Sequence, residues 1–267
     1  MIKVEQLEKI VRVAIYSGRV ANERPLSLLV VASVGAGKSD LLSKFNEKYV
    51  ESVLYCTDIT AFALHNKYGK KLKAGQIRHV VIPDLLTPLN KAKEQADHFI
   101  TFINGMIEEG VARVESAKSS FIVQSPIRVG FITSLARKEL KMRRDKWASV
   151  GFLSRMLPIS FAYSIETVAE IFDSITDRQY LTDRPSVVPL PPDTEIVLPK
   201  NISLACIPLA NQLKDSNDEY GFRRLKQIQT FLMGHALMNG RVIVEDADLE
   251  AFCEIVPFVG YDCKAVI

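Results

Sequence analysis

The chain alternates short, continuous apolar runs with longer stretches in which apolar residues recur every three or four positions. A continuous run rich in β-branched side chains is typical of a parallel strand covered on both faces, whereas the wider spacing indicates an amphipathic helix. Five runs have the first pattern, at residues 27–32, 52–59, 79–85, 129–135 and 158–164. Strands that alternate with helices predict a three-layer α/β domain with a parallel sheet.

Three further segments add to this core. Residues 3–16 carry apolar side chains at helical spacing and predict a helix. Residues 111–128 have the pattern of two short strands around a polar turn, which predicts a hairpin inserted before the fourth core strand. Residues 66–73 hold four lysines and Gly69, and they predict a loop between the second and third strands.

The pattern changes after residue 165. Five prolines fall within residues 181–200 and predict an extended connector, because proline interrupts both helices and ladders. The remaining segments have helical periodicity, at residues 165–175, 203–214, 221–239 and 244–256. We therefore predict a nucleotide-binding core over residues 1–165 and a smaller all-helical domain over residues 166–267.

Composition adds few constraints. The 267 residues carry a formal net charge of +3, which permits an acidic partner without indicating one. The four cysteines lack the spacing of zinc ligands and predict reduced thiols. The N-terminal segment is amphipathic and acidic, unlike a signal peptide, and no apolar run approaches the roughly 20 residues that span a bilayer. We expect a cytoplasmic protein without membrane contact.

A phosphate-binding loop is the most specific motif. Residues 32–39 fit the pattern GxxxxGK(S/T) except that Ala32 replaces the first glycine, a change that matters only if this position needs a positive φ. The loop lies between a buried strand and a helix, the context that separates a nucleotide site from a chance turn. Such a loop turns backbone N–H groups toward phosphates, Lys38 reaches the β- and γ-phosphates, and Ser39 ligates Mg²⁺. The residues predicted to bind ATP are Ser33, Val34, Gly35, Ala36, Gly37, Lys38, Ser39 and Asp40.

A second acidic element should end another core strand. Asp84 follows the run at residues 79–82 and is the candidate to hold Mg²⁺ through water, although an aspartate at a strand end is common without function. Efficient hydrolases often have a glutamate at the next position, where it polarises the attacking water. Leu85 stands there and has no oxygen for this task, so the sequence predicts tight binding with slow turnover.

With these motifs the chain resembles an AAA+ ATPase, in particular the MoxR-like and MCM-like branch, which carries a hairpin before its sensor 1 residue. Beyond the phosphate loop, three segments are similar to the family's patterns. They are "NGMIEEGVARV" at 104–114, "VGFLSRMLPISFAYS" at 150–164 and "GFRRLKQIQTFLMGHALMNGRVIVEDADL" at 221–249. The resemblance covers residues 26–255 and implies a core with a helical lid, the nucleotide lying between them.

The resemblance implies catalytic roles for several polar residues. Arg155 falls on the arginine-finger position, which serves a neighbouring subunit and so implies a ring or helical homo-oligomer. Arg223, 17 residues before Gly240, is the sensor 2 candidate, with Arg224 as the fallback. Sensor 1 must be Thr133 or Ser134, because Leu135 occupies the usual asparagine position. Residues 117–120, at the hairpin tip, could line a central pore or pack on a neighbour.

The basic stretch at residues 137–147 has two interpretations: a solvated helix face or a contact to nucleic acid. We weigh three functions. The first is ATP-driven remodelling of a protein or nucleic-acid partner by an oligomer. The second is a slowly hydrolysing, nucleotide-gated assembly or loader switch, which Leu85 favours. The third, a small-molecule kinase, is less favoured because the C-terminal helices have no evident acceptor site.

Overall fold

The central feature of the fold is a parallel sheet. The computed structural model describes residues 4–46, 48, 50–116, 119–178, 188–215, 218–262 and 264–267. In these residues, six parallel strands have the order β2-β3-β6-β1-β7-β8. Their bounds are β1 Leu28–Ala32, β2 Val53–Tyr55, β3 His79–Ile82, β6 Gly130–Ala136, β7 Leu157–Ala162 and β8 Ala265–Val266. The five predicted core strands are confirmed, and β8 was missed because two residues carry no periodicity.

Helices cover both faces of this sheet, so the predicted three-layer α/β architecture is confirmed. One face packs against α1, α2, α8, α9 and α10, and the other against α3, α5 and α6. The helices are α1 Glu5–Ser17, α2 Lys38–Ser43, α3 Ala61–Lys73, α4 Leu86–Leu89, α5 Lys93–Glu108, α6 Arg137–Ser149, α7 Ile165–Thr176, α8 Lys200–Leu213, α9 Phe222–Met238 and α10 Asp246–Ile255. No helix among these described residues is both long and apolar enough to cross a membrane.

Burial on two sides explains the continuous apolar run at β1. Leu28, Val30 and Ala32 face the layer that contains α1 and α9, whereas Leu29 and Val31 face the layer that contains α5. All five residues are buried because helices cover both faces of the sheet and β1 lies in its interior, with β6 on one side and β7 on the other. A half-exposed strand would have alternated apolar and polar residues.

The C-terminal helices share a hydrophobic cluster with the sheet. Phe231 and Leu232 of α9 belong to the same cluster as Val13 of α1 and Val30 of β1. Gly234 permits the close approach of α9 to α1, because a Cβ atom there would lie 2.7 Å from the Val13 carbonyl oxygen. The predicted boundary at residue 165 stays a prediction, and apolar packing continues across it.

The proline-rich connector is extended where the structure describes it. Residues 188–199 run back past the end of α1, and the Tyr16 hydroxyl donates to the Pro189 carbonyl at 2.7 Å. Single bridges join Val20 to Thr194 and Val197 to Ile243. The first part of the predicted connector, residues 181–187, lies outside the described residues.

The predicted hairpin is confirmed. Strands β4 Val111–Ser116 and β5 Ser119–Ile127 pair antiparallel and form a separate two-stranded sheet that precedes β6. At its predicted tip, residues 117 and 118 lie outside the described residues, so its proposed place in a pore stays a prediction.

The prediction of a loop at residues 66–73 was wrong, because this segment is the second half of α3. The Thr60 side chain caps the helix by accepting from the Ala63 N–H at 3.1 Å. Leu64 and Leu72 are buried at helical spacing on the cluster beneath the sheet, while the lysines remain exposed. Tertiary packing thus outweighed the glycine and the charge run on which the prediction rested.

His79 is a buried base at the amino end of the sheet. Its ring is fully buried, and Nε2 lies 3.2 Å from the Leu26 carbonyl oxygen, so a neutral imidazole donates there. Gly130 leaves the space for the ring, since a Cβ atom at that position would lie 2.4 Å from it. Burial lowers the pKa of His79 from 6.5 to about 4.

This buried base predicts a pH-dependent stability. In the unfolded chain His79 is protonated below pH 6.5, whereas in the folded chain it stays neutral until about pH 4. Its contribution to the free energy of unfolding is therefore fully present above pH 6.5 and is lost as the pH falls toward 4. The loss should be on the order of 3 kcal/mol. Urea unfolding between pH 7.5 and 4 should show a weaker pH slope in His79→Asn than in the wild type. His98→Gln, at an exposed histidine, should retain the wild-type slope, and an unchanged slope in His79→Asn would contradict the assignment.

Candidate nucleotide-binding site

The loop between β1 and α2 has the backbone conformation that its glycines predict. Gly35 and Gly37 have φ values of +77° and +67°, a region that costs residues with a Cβ free energy. Ala32 is the last residue of β1, is buried, and is not among the described residues with positive φ. Alanine is therefore compatible with the position, which answers the question that its departure from the motif raised.

The loop also leaves open space where a phosphate group would lie. A Cβ atom built on Gly35 meets no atom within 4 Å, and one built on Gly37 meets only the Tyr163 hydroxyl at 3.8 Å. Ser33, Val34, Ser39 and Asp40 are exposed around this space. The residues present therefore fit a triphosphate.

Lys38 lies against this loop with its side chain largely buried. Its Nζ donates to the Ser33 carbonyl at 2.6 Å and to the Ala32 carbonyl at 3.3 Å. Burial lowers the pKa of Lys38; the charge of Asp84 raises it, and the charge of Arg137 lowers it further. The ammonium group is thus already oriented over the loop, with a carboxylate and a guanidinium nearby.

Asp84 follows β3 and is exposed at the same edge of the sheet as the loop. Its Oδ1 accepts from the Leu86 N–H at 3.0 Å, which fixes the carboxylate in the turn that leads into α4. Its charge raises the pKa of Lys38, and both residues lie at the carboxyl edge of the sheet. No cluster of three or more metal-ligating side chains occurs in the described chain, so an Mg²⁺ ion here would need phosphate oxygens and water as ligands.

Leu85 faces the opposite way from the site. Its side chain is fully buried in the cluster beneath α5, and its N–H donates to the Ser134 carbonyl at 3.0 Å. A carboxylate at position 85 would enter an apolar core without a partner and would destabilise the fold. The usual glutamate is therefore absent from this position, and the local packing also excludes it.

The two sensor 1 candidates lie inside the sheet. Thr133 pairs with Leu29 and Ser134 with Val30, so they stand level with positions three and two residues before the end of β1, where the loop begins. Both are buried; the Ser134 hydroxyl donates to the Pro83 carbonyl at 2.6 Å, and the Thr133 hydroxyl has no described partner. The structure does not bring either hydroxyl to the loop.

Tyr163 reaches the loop instead, and Arg137 lies at the same edge of the sheet; neither position was predicted from the sequence. Arg137 follows β6 directly, donates to the Phe161 carbonyl at 3.1 Å and has a buried Nε without a described partner. The Tyr163 hydroxyl donates to the Ala36 carbonyl at 2.9 Å. Both residues come at the carboxyl ends of strands beside β1, which is where ligands bind in open α/β sheets.

Arg155 and Arg223 meet on one carboxylate. The Nε atoms of Arg155 and Arg223 lie 3.7 Å and 3.5 Å from Glu108 Oε2. Arg24 also pairs with Glu108. Burial alone would raise the pKa of Glu108, but the hydrogen bond and charge of Arg24, with the charges of Arg223 and Arg155, hold it below its usual value.

Neighbouring backbone and hydroxyl groups orient the two guanidinium groups. Arg155 Nη1 donates to the Gly151 carbonyl at 2.7 Å, and Arg223 Nη1 donates to the Ser154 hydroxyl at 2.9 Å. Burial lowers the pKa of Arg155, and the charge of Arg223 lowers it further, as expected for like charges held together. The two residues predicted for separate roles thus form one cationic cluster.

This cluster lies at the amino edge of the sheet. Ser154 and Arg155 come just before β7, and Arg24 comes just before β1. The phosphate loop begins after the five residues of β1, which span about 16 Å at the usual rise per residue. The structure therefore places Lys38 and Asp84 at one edge of the sheet, brings Arg155 and Arg223 together at the other edge, and separates the two pairs by the height of the sheet.

Arg224, the fallback for sensor 2, is a packing residue. It is buried, and its guanidinium donates to the Leu213 carbonyl at 3.2 Å and to Gln227 Oε1 at 2.7 Å. These bonds join the ends of α8 and α9.

Half of the six basic residues in the stretch on α6 pair with acidic side chains. Arg143 pairs with Glu139, Arg144 with Asp262, and Lys146 with Asp97. Arg137 turns to the loop edge, while Lys138 and Lys141 remain exposed. The pairing favours the solvated-face interpretation over a nucleic-acid contact.

Comparison with known proteins adds no assignment to this geometry. No protein-family model matches the chain, and no curated protein matches it with significance.

Proposed function

We propose that this chain is an ATP-binding protein of the AAA+ type that works as a head-to-tail homo-oligomer and remodels a protein or nucleic-acid partner. One observation carries the proposal: the two predicted groups lie at opposite edges of the sheet. The phosphate loop, Lys38 and Asp84 lie at the carboxyl edge, and Arg155 and Arg223 lie at the amino edge. These guanidinium groups are separated from the phosphate loop of their own chain by the length of the strands, but they can stabilise the charge of a nucleotide bound to the loop of a second copy. A heterologous contact of this kind closes into a ring or extends as a helix.

Each residue at the loop edge has a role in this proposal. The backbone of residues 33–37 and the Lys38 ammonium hold the phosphates, while Ser39 and Asp84 hold Mg²⁺ directly and through water. ATP with Mg²⁺ supplies the transferable phosphoryl group. Arg137 adds a positive charge in the same chain beside Lys38, at the strand end where the family places its sensor 1 residue.

The second subunit would supply the remaining charge. Arg155 and Arg223 approach together because Glu108 and the Gly151 carbonyl hold them side by side. In this arrangement Arg223 serves the neighbour's nucleotide, which departs from the expectation that the nucleotide lies between core and lid of one chain. Charge stabilisation of this kind contributes about 10³–10⁵ in rate where it operates.

A slowly hydrolysing, nucleotide-gated switch is the second candidate, and Leu85 favours it. Its side chain is buried in the core beneath α5, so position 85 offers no base for water. Positioned general-base catalysis is worth about 10²–10⁴ in rate, so its absence favours long-lived ATP complexes. Cytoplasmic location and the identity of the partner stay predictions.

The first prediction concerns binding. Mg²⁺-ATP should raise the melting temperature of the wild type, because a ligand at 100 times its Kd adds about 2.7 kcal/mol to the folded state. Lys38→Ala should lose most of this shift, whereas Lys141→Ala, at an exposed lysine on α6, should retain it. Differential scanning fluorimetry with and without ATP measures both. An equal shift in Lys38→Ala and wild type would exclude the loop as the site.

The second prediction concerns the use of arginines in trans. Lys38→Ala and the double variant Arg155→Ala/Arg223→Ala should each hydrolyse ATP far more slowly than the wild type. An equimolar mixture should recover about a quarter of the wild-type rate, since random mixing joins an intact loop to intact arginines at one junction in four. Steady-state phosphate release measures the recovery. A mixture as inactive as its components would contradict the proposal.

The third prediction separates the two candidate functions. If the switch describes the protein, wild-type turnover should stay slow in assembled oligomers while ATP affinity is retained, and Asp84→Asn should weaken Mg²⁺-dependent binding. Leu85→Glu should lower the melting temperature without raising turnover, because its carboxylate would be buried away from the loop. Rapid hydrolysis by the isolated protein would instead favour the remodelling ATPase.

A further inference from the structure

Helix α7 exposes a continuous apolar face. Ile165, Val168, Phe172 and Ile175 recur at helical spacing, and their exposed fractions are 86%, 37%, 64% and 52%. Single exposed apolar residues are ordinary, but a stripe along one face of a helix marks an interaction surface. All twelve residues of this helix are described, and Thr167 is the one that is buried.

This face begins beside the phosphate loop. Tyr163, whose hydroxyl donates to the Ala36 carbonyl, lies two residues before α7. The Ser164 side chain caps the helix by accepting from the Thr167 N–H at 3.1 Å, which fixes its start at this edge. Any partner that covers the stripe therefore stands next to the proposed nucleotide.

A second apolar patch lies at the opposite edge of the molecule. Tyr220 and Phe222 stack with ring centroids 5.5 Å apart, although they are 69% and 66% exposed. Phe222 immediately precedes Arg223, whose Nη1 lies 3.8 Å from the position of a Cβ atom on Gly151. Val150, which precedes Gly151, is 48% exposed, so exposed apolar side chains lie on both sides of the arginine cluster.

The charges around the two patches are complementary. Residues 165–178 hold four acidic residues and one basic residue, Arg178. Around the other patch, four guanidinium groups surround Glu108, so positive charge exceeds negative charge there. They belong to Arg24, Arg128, Arg155 and Arg223. Electrostatic complementarity of this kind sets orientation and discriminates against self-pairing of either patch.

One apolar patch lies beside the phosphate loop and the other lies beside the arginine cluster. We infer that the apolar face of α7 binds the Tyr220–Phe222 patch of a second copy, so that this interface places Arg155 and Arg223 at the neighbour's phosphate loop. The inference rests on the proposed function and adds the surface that holds the copies together. The arginine side also holds acidic groups. Asp215 and Asp218 contact Arg224. Glu109 and Glu219, in contrast, must lie at the rim of this interface.

Charge-introducing variants test the interface. Phe172→Glu and Phe222→Glu change exposed side chains, so folding should be retained, and each should weaken Mg²⁺-ATP-dependent self-association by about thirtyfold or more, as at interface hot spots. Met142→Glu, at a residue 62% exposed on α6, belongs to neither patch and should assemble like the wild type. Sedimentation velocity with Mg²⁺-ATP gives the masses.

Mixing the two variants gives the decisive observation. The intact α7 of Phe222→Glu can bind the intact aromatic pair of Phe172→Glu, and both remaining ends are blocked, so the mixture should form dimers and nothing larger. Phosphate release should return in the mixture and disappear when Arg155→Ala/Arg223→Ala is added to the Phe172→Glu chain. The same change on the Phe222→Glu chain should have no effect, because its arginines face the blocked end.

Other outcomes overturn the inference in identifiable ways. If Phe222→Glu alone still assembles while Phe172→Glu does not, α7 pairs with something other than the aromatic patch, such as a second α7. If neither variant changes the mass of an ATP-bound oligomer, α7 is covered within its own chain and the copies meet elsewhere. An ATP-induced thermal shift that persists in both variants leaves the proposed function intact, whereas its absence in the wild type removes the proposed function itself.

Discussion

The burial of β1 between two parallel neighbours is the constraint on which the rest of the molecule depends. Because β6 lies on one side and β7 on the other, the residues that follow each strand meet at one edge. That edge receives the loop after β1, Arg137 after β6 and Tyr163 after β7. The same register collects Arg24 and Arg155 at the other edge, since they precede β1 and β7.

The strand and helix pattern was predictable from sequence because its cause is local. A strand buried on both faces needs a mainly apolar run. β1 has an unbroken one, and the other core strands have apolar runs with few polar residues, such as Thr133 and Ser134 in β6. The loop at residues 66–73 was predicted wrongly because lysines and a glycine outweighed Leu64 and Leu72, whose burial depends on the sheet above them. Strand β8 adds to the sheet through β7, a partner about 100 residues away along the chain, and no local pattern announces it.

The candidate site shows the same difference between features set by local sequence and features set by contacts between distant segments. The position and conformation of the loop were predictable because the motif is contiguous, and the position of Asp84 because a strand end is visible in sequence. Their part in binding stays a prediction. Arg137 was assigned to a basic face because its neighbours along the helix are basic, whereas its position is set by β6. The meeting of Arg155 with Arg223 depends on α9 packing beside the turn before β7, and this contact joins segments nearly 70 residues apart.

The shared hydrophobic cluster has a consequence for how nucleotide state could be transmitted. Helix α9 packs against α1 with its glycine close to the Val13 carbonyl, and both helices share a hydrophobic cluster with the sheet. A rotation of the C-terminal helices would therefore separate apolar surfaces that hold the core together. A hinged lid needs a boundary at which few such contacts cross. In the proposed oligomer, a change of nucleotide state would therefore cost less free energy as a change of the contacts between copies than as bending inside one subunit.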